Sequence, residues 1–337
     1  MKREDKQKID FVVLWVDGKD PKWLKEKNKY SLSKEDISNQ INRYRDWDLL
    51  KYWFRGVEQN AQWVNKIYFV TYGHLPEWLD TSNPKLKIVK HEDFIPKEYL
   101  PTFNSNVIQF YLDRIKGLSD KFVMFDDDMY ILKKVKKEDF YKGNKICDNY
   151  GENVFHTSVL GDVYPHSLLN NLQCINENYN KKQFYKKNLF KIFSIKNGLK
   201  MNIKTLSTAR YNNFIGIHSQ HICQAYTKKH YKLFWKYCSN YLKECSKNRF
   251  RDYSDLTTFL VRYIALVEGD FVPRKITFGK RYELSESNKN IYNAIKCRKY
   301  SVICINDSNT NIDFEKTKQE LKISFENVFP HKSSFEK

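Results

Sequence analysis

KFVMFDDDMYIL, residues 121–132, sets three consecutive aspartates, Asp126, Asp127 and Asp128, at the end of a short apolar run. Phe122, Val123, Met124 and Phe125 read as a buried strand of an α/β sheet. Adjacent carboxylates repel one another and lose hydration where they are buried. A cationic partner is therefore expected nearby: arginine or lysine side chains, a helix N-terminus or a divalent metal. The alternative is an exposed acidic turn with no partner, a common feature of loops. Position favours a functional role, because ligands of open α/β sheets gather beyond the carboxyl ends of the strands.

On either side of this stretch, strands alternate with helices. IDFVVLWVDG (9–18) reads as a first strand, NKIYFVTYG (65–73) as a second and LKIVKHEDF (86–94) as a third. WDLLKYWFRGVEQNA (47–61) has apolar residues at 49, 50, 53, 54 and 57, the period of a helix. NSNVIQFYLDRI (104–115) is a second helix, with Asn104 and Ser105 as N-cap candidates. Residues 218–244 and 253–269 also read as helices, the latter capped near 252–254. YSVICIND (300–307) is one more strand, expected to return to the same sheet, and a helix follows at 314–329. The fold class expected is α/β: a Rossmann-like, mostly parallel sheet flanked by helices on both faces. Residues 1–140 would supply the first part of this core and 141–210 an insertion or additional, mainly helical lobe. Residues 211–337 would complete the core.

At 337 residues the chain can bury a large core, and 41% apolar with 16% aromatic residues excludes a disordered protein. No apolar run reaches the roughly 18 residues needed to span a bilayer. The N-terminus is charged and leads straight into a strand, so no signal peptide is expected. Seven cysteines without zinc-type spacing read as free thiols of a reducing cytosol. The 59 Lys and Arg exceed the 40 Asp and Glu, a formal net charge of +19. That surplus suits nucleic acid, an anionic membrane face or an anionic substrate, or simply a lysine-rich solvated surface. No nucleic-acid-binding motif is present. Trp15, Trp53, Trp63 and Trp78 read as core or cap packing.

Four segments concentrate polar residues, three of them where strands end: WVDG with Asp17 and Gly18, NRYRDWD (42–48), the aspartate triad, and CINDS with Asn306 and Asp307. Each alone is ordinary turn chemistry. Together they hold carboxylates and arginines fit for a phosphate group and its metal.

These blocks resemble the Stealth family, which includes bacterial capsular-polysaccharide hexose-1-phosphate transferases and the eukaryotic N-acetylglucosamine-1-phosphotransferase. Four family blocks appear in order: IDFVVLWVDGKDPKW (9–23), the segments from NRYRDWD to FVMFDDDMYI (42–131), the His-rich segment with FRDYSDL (208–256), and SVICINDS with the C-terminal tail (301–337). The third departs from the family, with Gln220 where many members carry a proline between two histidines. Residues 141–207 match no block.

The resemblance implies a nucleotide-sugar-transferase-like fold and a reaction. A hydroxyl of a phosphodiester-linked glycan acceptor attacks the phosphorus attached to the sugar of a UDP-sugar donor, and UMP leaves. It also implies roles: Asp127 and Asp128 hold Mg2+ (or Mn2+), or one of them is a base. Asp17, Asn306 and Asp307 line the same pocket, with Gly18 and Asp46 beside them. Arg43, Arg45 and Arg251 clamp phosphate. His218 or His221 serves as base; at helical spacing their imidazoles would share one face. No third His or Cys ligand is suggested nearby, so zinc is not expected. Asn104, Asn106 and Asp255 are caps, early-turn carboxylates or sugar contacts, and Arg251 would pair with Asp255. The expected location is the cytoplasm, with peripheral association to the inner face of the membrane or the capsule machinery. A conventional metal-dependent glycosyltransferase, releasing UDP, and a non-catalytic polyanion-binding protein remain the alternatives.

Overall fold

The computed structural model describes residues 7–31, 44–156, 162–307 and 311–337. Its main sheet has the order β3-β2-β1-β4-β8, built from β1 Ile9–Leu14, β2 Ile67–Thr71, β3 Leu86–Lys90, β4 Lys121–Phe125 and β8 Gln224–Thr227. β1 to β4 run parallel and β8 pairs antiparallel with β4 at the edge. All of β4 and nearly all of β1 are buried, which is why these strands read as continuous apolar runs. α1 Pro21–Tyr30, α2 Leu50–Asn60 and α3 Ser105–Phe110 lie in the connections of this half. The fold is therefore mixed α/β, with a mostly parallel sheet and helices packed on it.

The strand order fixes where a ligand can bind. From β1 the chain steps outward to β2 and β3, then returns to place β4 on the other side of β1. The loops after β1 and β4 diverge at that switch point, where Val13 pairs with Phe125, and leave a crevice at the carboxyl ends.

β1 is pinned by one buried carboxylate. Asp10 accepts from Asn65 Nδ2 (2.7 Å) and the Lys66 N–H (3.1 Å) through Oδ1, and from the Ser119 N–H (2.7 Å) through Oδ2. It thereby ties the starts of three adjacent strands. Asp10→Ala strands these donors in a dry site, and a loss of roughly 2–4 kcal/mol in unfolding free energy is expected. Denaturant titration checks it, and a variant as stable as the parent would refute this role.

A second sheet, β10-β11-β5, consists of β5 Met129–Ile131, β10 Gly279–Glu283 and β11 Val302–Asn306. The expectation that the C-terminal strand rejoins the main sheet is corrected here. The edge of β4 is taken by β8, while the apolar triplet of β5 offers β11 an antiparallel partner, with Cys304 opposite Met129. A third sheet joins β6 Tyr141–Lys142, β7 Lys145–Asp148 and β9 Phe271–Pro273. Most of the 141–210 segment is helical: α4 Val163–Asn178, α5 Lys181–Ile192 and α6 Leu199–Thr208. α7 Lys228–Ser246, α8 Phe259–Val267, α9 Lys289–Lys296 and α10 Phe314–Glu326 complete the chain.

Two helix expectations shift. Residues 218–227 are not helical: Gln224–Thr227 pair with β4, and the Thr227 side chain then caps α7. His218 and His221 therefore share no helix face. α8 starts at Phe259 rather than near 253, because Asp255 holds the preceding segment in a turn. Trp15 and Trp53 are core residues, and Trp63 and Trp78 pack against the core. All seven cysteines are free.

Candidate active site

The carboxyl ends of β1 and β4, the β5 turn and the end of β11 surround a cavity of about 770 Å³. Among the described residues, eight aspartates line it (Asp46, Asp126, Asp127, Asp128, Asp162, Asp252, Asp255 and Asp307), against three arginines, Arg45, Arg251 and Arg281, and no lysine. A chain with a net charge of +19 thus reverses sign in this recess.

β4 delivers the aspartate triad. A tight turn, closed by the Met129 N–H donating to the Asp126 carbonyl (3.2 Å), passes the chain to β5 in the other sheet. Asp126 accepts from Gln109 Nε2 (3.1 Å), and Gln109 is itself held by the Thr258 hydroxyl (2.5 Å). Asp128 accepts from Cys304 Sγ (3.2 Å) through Oδ2, while its Oδ1 is buried without a hydrogen-bond partner. Burial pushes the carboxyl of Asp126 up to about 6, with the Arg251 charge opposing. Burial and then the Asp126 charge push Asp128 up to about 7. Asp127 lies well above the ordinary carboxylate range, through burial and then the charges of Asp128, Asp126 and Asp46. Its side chain is exposed and lines the cavity.

His221 enters this corner from a left-handed backbone conformation (φ 47°), with its ring edge on Phe259. Its Nδ1 is buried without a partner. Burial, then the charges of Arg281 and Arg251, lower its pKa to about 3, so the imidazole is neutral at pH 7. One ligand atom each from Asp128, His221 and Cys304 lie within 4.8 Å of one another. The missing third ligand is thus supplied by Cys304, from a different strand. The unpartnered Asp128 Oδ1 and His221 Nδ1, inside a cavity with surplus carboxylate, fit a divalent cation. An imidazole among the donors suits a transition metal such as manganese or zinc better than magnesium, and the thiol favours zinc.

The three arginines are held differently. Arg45 forms a bidentate pair with Asp307, with Nη2 2.7 Å from Oδ1 and Nε on Oδ2, and Trp47 Nε1 donates to the same carboxylate (3.0 Å). Arg251 donates to Ser105 Oγ (2.7 Å) rather than to Asp255. Arg281 lies in β10, beside Glu283 (2.5 Å). Asp255 accepts from Asn104 Nδ2 (2.8 Å), Asn106 Nδ2 (3.4 Å), Asn248 Nδ2 (2.9 Å) and the Asp252 N–H (3.0 Å). It thus fixes the turn that carries Arg251.

Of the residues singled out from sequence, Arg45, Asp46, Asn106, Asp127, Asp128, His221, Arg251, Asp255, Asn306 and Asp307 line the one cavity. Arg43 lies outside the described residues. Asp17 and Gly18 stand behind the wall. The Asp17 N–H donates to His74 Nε2 (2.7 Å), and a Cβ on Gly18 would sit 1.8 Å from the Tyr44 carbonyl, so glycine is what lets the 44–48 segment pass. Asn104 is the buried N-cap of α3. His218 is elsewhere: its N–H donates to the Gly151 carbonyl (2.8 Å) and its carbonyl accepts from Arg262 (2.9 Å). Asn306 donates to Glu283 (2.6 Å).

Cys304, Arg281, Gln109 and Tyr164 also face the cavity or its acidic cluster and were not anticipated. Only Cys304 carried a signal, being two residues before Asn306 and so on the same face of its strand. Asp162, Val163, Tyr164 and Ser167, at the start of α4, bring the unmatched 141–207 segment into the wall.

Asp307 anchors a loop here. Asp307→Asn is expected to lower stability by roughly 1–3 kcal/mol by breaking its pair with Arg45 in a mostly buried setting. Loosening the 44–48 segment should also raise KM. Thermal melting with steady-state kinetics reads both, and parental values in both would exclude the anchoring role.

Comparison with known proteins places the chain among polysaccharide transferases. The family model for Stealth conserved region 1 matches residues 7–35, and that for conserved region 2 matches residues 43–148. A capsular polysaccharide phosphotransferase, WcwK, of Streptococcus pneumoniae is 41% identical over 340 residues, 98% of each chain. An exopolysaccharide phosphotransferase of Lactiplantibacillus plantarum is 36% identical over 98% of this chain and 96% of its own. A receptor polysaccharide phosphotransferase, WefC, of Streptococcus oralis is 32% identical over 98% and 99%. Among solved structures, the bifunctional glycosyltransferase WbbM is similar with a TM-score of 0.43 at 7% identity, over 96% of this chain and 50% of that one. The galactosyltransferase LgtC gives 0.37 at 10%, over 94% and 95%. No inference about chemistry rests on likenesses this distant.

Proposed function

This chain belongs to the Stealth family of polysaccharide phosphotransferases, and from that membership and its acidic, arginine-flanked cavity we propose the following reaction. The enzyme moves a sugar-1-phosphate, of the N-acetylhexosamine class, from a UDP-sugar to a hydroxyl of a glycan. The acceptor oxygen bonds to the sugar-bearing phosphorus, the bond from that phosphorus to the oxygen of UMP breaks, and a phosphodiester results. The observation that carries this reading is the convergence of Asp127, Asp128, His221, Arg45 and Arg251, from four separate stretches of chain, on one cavity.

Phosphoryl transfer depends on positioning and on neutralising charge at the phosphoryl oxygens. Arg251 and Arg281 face the acidic corner, and planar guanidinium forks suit phosphate. Asp128 and His221, with Cys304 behind them, are the residues that would hold a divalent cation, which would bind the diphosphate and offset its charge. Asp127 is the proton acceptor: it projects into the cavity, and its raised pKa makes its carboxylate a stronger base toward a hydroxyl than an ordinary aspartate. His221 stays neutral beside two arginines and is suited to ligation. Asp255 and Asn104 position Arg251 through their shared hydrogen bond.

The test is the nucleotide released. Incubated with a panel of UDP-sugars, a divalent cation and a capsule oligosaccharide, the enzyme should release UMP in step with glycan growth, read by ion-exchange chromatography. Release of UDP instead would mean attack at the anomeric carbon and would overturn the proposal. Release of neither would favour a binding protein.

A further inference from the structure

Six large apolar side chains are exposed along α5, α6 and the turn between them. Leu189 and Phe190 end α5, Ile195 lies in the turn, and Leu199, Ile203 and Leu206 lie along α6. All six are exposed, Phe190 to 94% and Ile195 to 93%. The α6 residues are spaced i, i+4 and i+7 and so share one face. Met201, Thr205 and Thr208, on the other face, are buried against the rest of the protein. The helix is therefore amphipathic twice over, packed on one side and bare on the other. Bare apolar patches of this kind mark interaction sites.

Charge says what covers it. Lys186, Lys187, Lys196 and Lys200 are exposed around these apolar side chains. The sequence contains no aspartate or glutamate between Glu177 and Glu244. A second copy docked face to face would set lysine against lysine across the two-fold axis. A bilayer surface with anionic headgroups matches both features: the lysines reach the headgroups while the apolar side chains enter the acyl boundary. Phe190 and Ile195, the most protruding, would insert first.

We propose that the α5–α6 face is a docking surface for an anionic lipid bilayer. This stands independently of the reaction assigned to the cavity. The two are nonetheless linked in the chain, since α4, whose first turn walls the cavity, leads into α5 through Tyr179 and Asn180 alone.

The test uses the full chain with vesicles of phosphatidylglycerol and phosphatidylcholine, and with vesicles of phosphatidylcholine alone, read by cosedimentation at low and high salt. The parent should bind the anionic vesicles, more weakly as salt screens the lysines, and should bind the neutral ones far less. Phe190→Glu combined with Ile195→Glu should weaken binding by about tenfold or more, with melting temperature and turnover of a soluble acceptor unchanged. No binding by the parent, or equal binding by the variant, would overturn the proposal. So would a concentration-dependent dimer of the parent, seen by analytical ultracentrifugation and lost in the variant, since the face would then be a protein interface.

Discussion

Asp127→Asn is expected to cut transfer by about a thousandfold or more and, in the same protein, to raise the melting temperature measured without metal at about pH 8. The two effects have one cause. Asp126, Asp127 and Asp128 crowd three carboxyl groups into one turn; burial raises all three pKa values, and the neighbouring carboxylates raise those of Asp127 and Asp128 further. An acid whose folded pKa is raised holds a proton in the native state that the unfolded chain has already lost. Stability from this cluster therefore falls as pH climbs from the ordinary value of 3.8 through about 7, the value for Asp128. Above that range Asp126 and Asp128 are ionised, and asparagine at 127 is neutral at every pH, so it removes that residue's share of the penalty. Added manganese should stabilise the parent, more at high pH than at low, because the cation opposes the same repulsion. Asp128→Asn should abolish most of that gain. Differential scanning calorimetry across pH, with and without metal, measures it. A variant that is inactive and also less stable at every pH would place Asp127 in the structural scaffold instead.

Arg251→Ala should lower kcat/KM by roughly two to three orders of magnitude, the scale of losing one preorganised charge on a transition state. Arg251→Lys should recover little, since an ammonium cannot bridge two phosphate oxygens as a guanidinium does. The contrast with Asp255 is diagnostic. Asp255 reaches the reaction only through the turn that holds Arg251, so Asp255→Asn should cost less. Combined with Arg251→Ala it should add almost nothing, because the residue it positions is already gone. Additive losses, or full rescue by lysine, would remove Arg251 from the phosphate clamp.

Much of the fold was readable because its central strands are buried on both faces. β1, β2 and β4 appear as apolar runs, and Asn104 before α3 and the apolar period of α2 mark helices. What escaped were pieces too short to carry a pattern. β5 is three residues long and follows an acidic turn, so nothing local announces that the chain has changed sheets. The C-terminal strand was recognised, but its partner was not, since pairing depends on which edges are free and β8 had already taken that of β4. The site was legible by type and only partly by place. Aspartates at strand ends were found, because polar residues there break a strong apolar run. His218 and His221 could not be separated by spacing: the segment is extended and turned rather than helical, and only His221 reaches the cavity. Asp307 and Arg45, 262 residues apart, showed no sign in sequence of facing each other.

The central claim is that the acceptor attacks phosphorus, and labelling decides it most directly. A UDP-sugar carrying a radiolabel in the phosphate next to the sugar is incubated with enzyme, cation and acceptor, and the glycan is separated from free nucleotide. Phosphoryl transfer predicts the label in the glycan, at one phosphate per sugar added, with Asp127→Asn giving background. Label recovered in the released nucleotide while sugar enters the glycan would contradict it.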